Sequence, residues 1–202
     1  MPVQQRAEET RTRILSAAAD CFAQQGYEAA SVADICERAG VSKGAFYHHF
    51  PSKQELFLAL LGDWLGGLDA QLRAVRQGAA TVPDALREMA GMAAFVLGSA
   101  GERLPMFLEF WTQAAHDPDV WAATIAPYRR YRDFFADMLG AGVAEGSLRP
   151  VDAEVAAQAV VALAVGMILQ GLLDPDGADW GRSVREGIEL LLKGLETDKT
   201  ES

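Results

Sequence analysis

Cysteine is nearly missing from this chain. Of 202 residues only Cys21 and Cys36 carry thiols, and no C-x-x-C spacing occurs. A disulfide scaffold and a thiolate metal cluster are excluded. Histidine is almost as scarce: three residues, two of them adjacent at His48 and His49. Neighbouring positions on a helix point about 100° apart, and no Cys, Asp or Glu shares their turn, so no metal site is expected. A glycine-rich phosphate loop and a nucleophile–base set are also missing, so neither an enzyme nor a bound cofactor is expected. No segment alternates apolar and polar residues as a half-buried strand does. Internal repeats and low-complexity tracts are absent. The first residues, MPVQQRAEETRTR, are polar and unlike a signal peptide. The longest apolar run, 155–173, approaches membrane-spanning length. Gln158 and Gln170 interrupt it and small residues dominate it, so a buried helix of a cytoplasmic protein with no membrane partner is expected.

Half of the residues are apolar and 23% are charged, a composition that supports a packed core. The formal charge of -10 is unevenly spread. Residues 1–55 hold six Lys/Arg against seven Asp/Glu, whereas 56–202 hold twelve against twenty-one. Within the nearly neutral first part lies VSKGAFYHHF (41–50), a stretch without any acid. A metal site, a catalytic pair and a surface for a polyanion are the three uses such a stretch could have.

Apolar residues at three- and four-residue spacing predict about nine helices. The first spans 6–25, with Gly26 as its stop. Ser31 and Asp34 form an S-x-x-D box opening a short helix to Ala39, which Gly40 ends. Ser42 caps a third over 43–48, and Ser52 with Glu55 opens a longer one to Gln77. Further helices are expected over 83–99, 102–115, 118–144 (with Pro127 inside), 153–173 after an Asp152 cap, and 179–195. The fold class is therefore all-α.

Two short helices joined by AGV (39–41) and backed by Ile35, Cys36, Ala39, Val41 and Phe46 form a helix-turn-helix. In that unit the second helix enters the major groove of DNA and its first residues meet base edges. An acid on it would face phosphates, which accounts for the acid-free stretch.

The segment RTRILSAAADCFAQQGYEAASVADICERAGVSKGAFYHHFPSKQELF (11–57) closely resembles the N-terminal domain of TetR-family transcriptional regulators. The resemblance implies a three-helix DNA-binding domain over 1–55 and a larger helical effector-binding and dimerisation domain over 56–202. It implies that Ser31 and Ser42 cap helices beside phosphates and that Lys43, Gly44 and Ala45 meet bases. It makes Tyr47, His48 and Lys53 phosphate contacts. Lys43 could reach guanine O6 or N7, and Ala45 a thymine methyl. Arg6 and Arg11 could reach the DNA backbone or minor groove from an N-terminal arm. His49 is expected to pack beneath its helix.

For most aromatics of the larger part, simple core packing is the plain expectation. An aromatic-rich middle with scattered polar groups also suits a pocket for a small hydrophobic or aromatic effector. The candidates are Met89, Met92, Phe107, Phe110, Trp111, Gln113, His116, Trp121, Tyr128 and Met167. A homodimer is implied as well, because one short helix reads too few bases and a two-fold pair reads half-sites of a palindrome about 34–36 Å apart. The candidate interface residues are Ala156, Ala159, Ala162, Gly166, Trp180, Val184, Ile188 and Leu191. Repression relieved by the effector is the expected mode; an activator or co-repressor-dependent regulator of the same fold is the alternative.

Overall fold

A computed structural model describes residues 3–99 and 112–197. The elements are α1 (Val3–Gln25), α2 (Val32–Ala39), α3 (Lys43–His49), α4 (Lys53–Gly78), α5 (Val82–Ser99), α6 (Pro118–Ala144), α7 (Ala153–Leu173) and α8 (Trp180–Leu195). Residues 112–114 are also helical; the rest of the helix expected over 102–115 lies outside the described residues. Among the described residues there is no strand, only an isolated antiparallel bridge between Leu148 and Glu196. The chain is all-α, as its periodicity predicts.

Capping explains most of the boundaries. Ser31 Oγ accepts the Asp34 N–H at 3.1 Å, while the Asp34 carboxylate accepts the Ser31 N–H at 3.0 Å. This reciprocal box satisfies donors that the first turn leaves unpaired and is worth ~1 kcal/mol. Gly40 ends α2 in the left-handed region (φ 64°), where its N–H returns to the carbonyls of Cys36 and Glu37. Asp152 caps α7 through the N–H groups of Glu154 and Val155. The first helix begins earlier than its apolar stripe suggests: it reaches Val3, so Arg6 and Arg11 stand on a helix and not on an extended arm.

The described residues form two compact units, one of 3–66 with 112–125, the other of 67–99 with 126–197. In the first, Ile14, Phe22, Ile35, Phe46, Leu56 and Phe57 are fully buried or nearly so. Ala114 and Val120 belong to this same cluster. In the second, Val82, Leu86, Leu139, Leu148, Val160, Val184 and Leu192 form the core. Gly142 is needed there: a Cβ at this position would lie 2.7 Å from Leu148. Arg87 of α5 binds Glu189 of α8 and Glu196 just beyond it, each at 2.8 Å.

The expectation of a buried apolar helix needs correcting. The most apolar 18-residue window of α7 has a mean hydropathy of 2.0, yet only 22% of it is buried. Ala156, Ala157, Val160, Val161 and Gly171 face the core. Val155, Leu169 and Leu173 are exposed.

Candidate nucleic-acid interface

The α2–α3 pair is set by a few short-range contacts. Ser42 Oγ accepts the Ala45 N–H at 3.1 Å, opening α3. Phe46 is fully buried and Phe50 nearly so, which anchors one side of α3 in the core. A helix turns 100° per residue, so Tyr47 must then face away from that core. It is 53% exposed, with its ring edge-on to Phe46 at 5.2 Å.

Lys43, Gly44, Tyr47 and His48 are all exposed, and Ala45 is half-buried. Among the described residues nothing requires glycine at 44, since a Cβ there would meet only Ser42 Oγ, at 3.8 Å. The small residue therefore clears space on the outer side of the helix. The outer face of α3 thus offers a lysine ammonium, a phenol and imidazoles around a flat spot, with no carboxylate from its own residues. The nearest helix-start acid, Asp34, is tied to Ser31 Oγ at 2.7 Å; these bonds hold its carboxyl below the ordinary carboxylate range. His49 is half-buried. Burial, with the charges of His48 and Arg11, lowers its pKa below the usual imidazole value.

Lys53, expected at a phosphate, is engaged within the chain. Its ammonium donates to the carbonyls of Tyr27 (2.7 Å), Glu28 (3.3 Å) and Ala30 (3.1 Å), and it lies 4.4 Å from the centre of the Tyr27 ring. An ammonium has three N–H donors, and three loop carbonyls accept from it. In the unbound chain the side chain therefore fastens the α1–α2 loop to α4. Arg11 is also engaged: it lies over the Phe50 ring at 5.4 Å and pairs with Asp63 at 3.6 Å. Arg38 holds Gln24 at 2.8 Å. Cys21 and Cys36 are buried, and desolvation raises both thiols above their ordinary pKa.

The effector candidates scatter. Phe107, Phe110 and Trp111 lie outside the described residues. Gln113 donates to Glu28 Oε1 at 3.2 Å, and His116 is exposed in the turn before α6. Trp121 and Tyr128 are exposed along α6. Met89, by contrast, is buried in the second core, with Met92 and Met167 packed against the same cluster. These three therefore pack with the core of the second unit.

The dimer candidates also divide. Ala156, Val184 and Ile188 are buried within their own chain, on the sides of α7 and α8 that close the core. Ala159 and Ala162 are exposed; Gly166, Trp180 and Leu191 are half-exposed. Apolar residues that sequence reasoning missed are exposed on the same helices: Val155, Leu169 and Leu173 on α7 and Leu190 on α8. Their signal was present, since 155, 159, 162, 166, 169 and 173 recur at alternating four- and three-residue steps along one stripe. Between the helices Ala156, Ala159, Leu190, Leu191 and Gly194 line a groove of about 250 Å³.

Comparison with known proteins agrees with this geometry. Residues 14–60 match the profile of bacterial regulatory proteins of the tetR family, and 100–193 match that of the C-terminal part of BetI-type transcriptional repressors. The transcriptional regulator UidR of Escherichia coli (strain K12) is 25% identical over 198 residues, 96% of this chain and 97% of its own. The transcriptional repressor KstR2 of Mycolicibacterium smegmatis is 30% identical over 142 residues, 69% of this chain and 68% of its own. Among solved structures, a transcriptional regulator from Saccharomonospora viridis in complex with choline superposes with a TM-score of 0.83. It is 23% identical and covers 94% of this chain and 99% of its own.

Proposed function

The chain belongs to the tetR family of bacterial regulatory proteins, and from that premise we propose that it is a cytoplasmic repressor. Its homodimers hold a palindromic operator until a small effector releases them. The observation that carries the DNA-binding part is the outward face of α3: Tyr47 exposed beside a fully buried Phe46, with Lys43 and Gly44 free of local carboxylates. In this reading Lys43, Gly44 and Ala45 meet base edges, while Tyr47, His48 and the caps at Ser31 and Ser42 lie along phosphates. Lys53 acts indirectly, by holding the loop that presents Ser31.

Residues 1–55 carry DNA binding, and 56–202 carry effector binding and pairing. The exposed stripe of α7 with Leu190 of α8 suits a second copy, since apolar surface of this extent is otherwise left in water. The effector is read as small and hydrophobic or aromatic, with Trp121 and Tyr128 as candidate contacts. By differential affinity it must favour the dimer geometry that does not fit DNA.

Selection of bound duplexes from a random pool at near-physiological salt tests this. Enrichment of a palindrome supports the reading; failure to enrich any sequence, alone or with cell metabolites added, overturns it. A panel of small aromatic and aliphatic compounds, with choline included, then tests release. A compound that tightens binding to the palindrome assigns a co-repressor or activator mode instead of induction.

A further inference from the structure

The start of α6 and the start of α4 share one carboxylate. Asp117 Oδ1 accepts the N–H groups of Asp119 (2.8 Å) and Val120 (3.1 Å), capping α6. Asp117 Oδ2 accepts from Gln54 Nε2 at 2.9 Å, and this bond is partly buried. A carboxylate is acceptor-only, so it fixes which end of the Gln54 amide faces it. It is also rigid, so its two oxygens move together. Any shift of the first turn of α6 therefore pulls on Gln54.

Gln54 follows Lys53, whose ammonium holds the carbonyls of Tyr27, Glu28 and Ala30. Ala30 directly precedes Ser31, the cap of α2. A second tie runs in parallel, from Gln113 to Glu28 at 3.2 Å. Ala114 and Val120 are buried in the same cluster as Phe22 and Phe57, so residues 112–120 are built into the DNA-binding unit. The same residues follow directly in sequence on the segment with Phe107, Phe110 and Trp111.

We propose that the Gln54–Asp117 hydrogen bond is a positioning contact through which occupancy of α3 by DNA is felt at residues 113–121, and displacement of that turn is felt at α3. In this role each residue acts through the backbone it holds. The proposal rests on the DNA-binding reading above.

The test is hydrogen exchange on the full-length protein, with and without the duplex recovered by selection. In the unaltered chain, amides of α3 and of 113–121 both slow when the duplex binds. With Gln54→Leu, the slowing in α3 stays and that in 113–121 is reduced, the Gln113–Glu28 tie alone remaining. The double variant Gln54→Glu with Asp117→Asn exchanges donor and acceptor, keeps an oxygen to cap α6, and restores the slowing at 113–121. The proposal is overturned if 113–121 slows equally in Gln54→Leu and the unaltered chain. It is also overturned if 113–121 does not respond while α3 is protected, or if the double variant behaves like Gln54→Leu. Absence of protection at α3 with every duplex overturns the DNA-binding reading, and this proposal with it.

Discussion

Lys53 grips Tyr27 twice. Its ammonium nitrogen lies 2.7 Å from the Tyr27 carbonyl oxygen and 4.4 Å from the centre of the same residue's ring. Desolvation raises the Tyr27 phenol above its ordinary pKa, so the ring beneath the cation stays neutral at physiological pH. The cation thus replaces the water that three loop carbonyls would otherwise require, across 23 to 26 residues of chain.

Replacing Lys53 with methionine keeps the stem and removes the three donors. The loss expected is ~2–3 kcal/mol of stability, the order for charge-assisted bonds whose acceptors are left unpaired. Thermal unfolding reads it. If Lys53 were instead a phosphate contact, stability would hold and only the DNA affinity and its salt slope would fall.

The α2 cap has a pH signature. Asp34 has a folded pKa lowered chiefly by its side-chain bond to Ser31. Its contribution is therefore fully present above the ordinary carboxylate value and is lost as pH falls through the lowered folded value. Ser31→Ala should cost ~1 kcal/mol near neutrality and make the acid limb of the stability profile shallower. Unfolding midpoints measured from neutral into acid check both; an unchanged acid limb would show that the box contributes nothing.

On α3 the roles of the exposed Lys43 and Tyr47 should separate. Tyr47→Ala should weaken binding to all duplexes alike, by ~1 kcal/mol. Lys43→Ala should relax one position of the recognised sequence, by ~1–3 kcal/mol, and flatten the salt dependence. Titrations against the selected duplex and its single-base variants distinguish them. Loss of preference in the tyrosine variant would exchange the roles.

The exposed α7 stripe predicts assembly. Leu169→Asp places an unpaired charge on the stripe and should cost ~3 kcal/mol or more of association if that surface is buried. Sedimentation at micromolar protein should then show monomers with the helical fold retained. A variant that stays dimeric would move the interface elsewhere.

The helix-turn-helix was legible in the chain because its signals are local. Ser31 and Asp34 stand three residues apart, Gly40 supplies a left-handed stop, and the acid-free run at 41–50 lies within a single short element. Helix boundaries elsewhere followed from the same short-range chemistry, with Asp152 capping α7 as its position indicates. The resemblance implied an outward Tyr47, and the packing has it so, exposed beside a fully buried Phe46.

What the sequence by itself determined was the set of helices and the chemistry of α3, because caps, glycine stops and three- and four-residue spacing act within one turn. What only the tertiary structure decided was which partners distant side chains meet. Lys53 faces three carbonyls 23 to 26 positions away, Gln54 reaches Asp117 63 positions on, and Val184 and Ile188 close their own core while Leu169 and Leu173 do not. An amphipathic pattern states that a face is apolar; it does not state what covers that face. That choice is made when helices pack and bury one side at the expense of another.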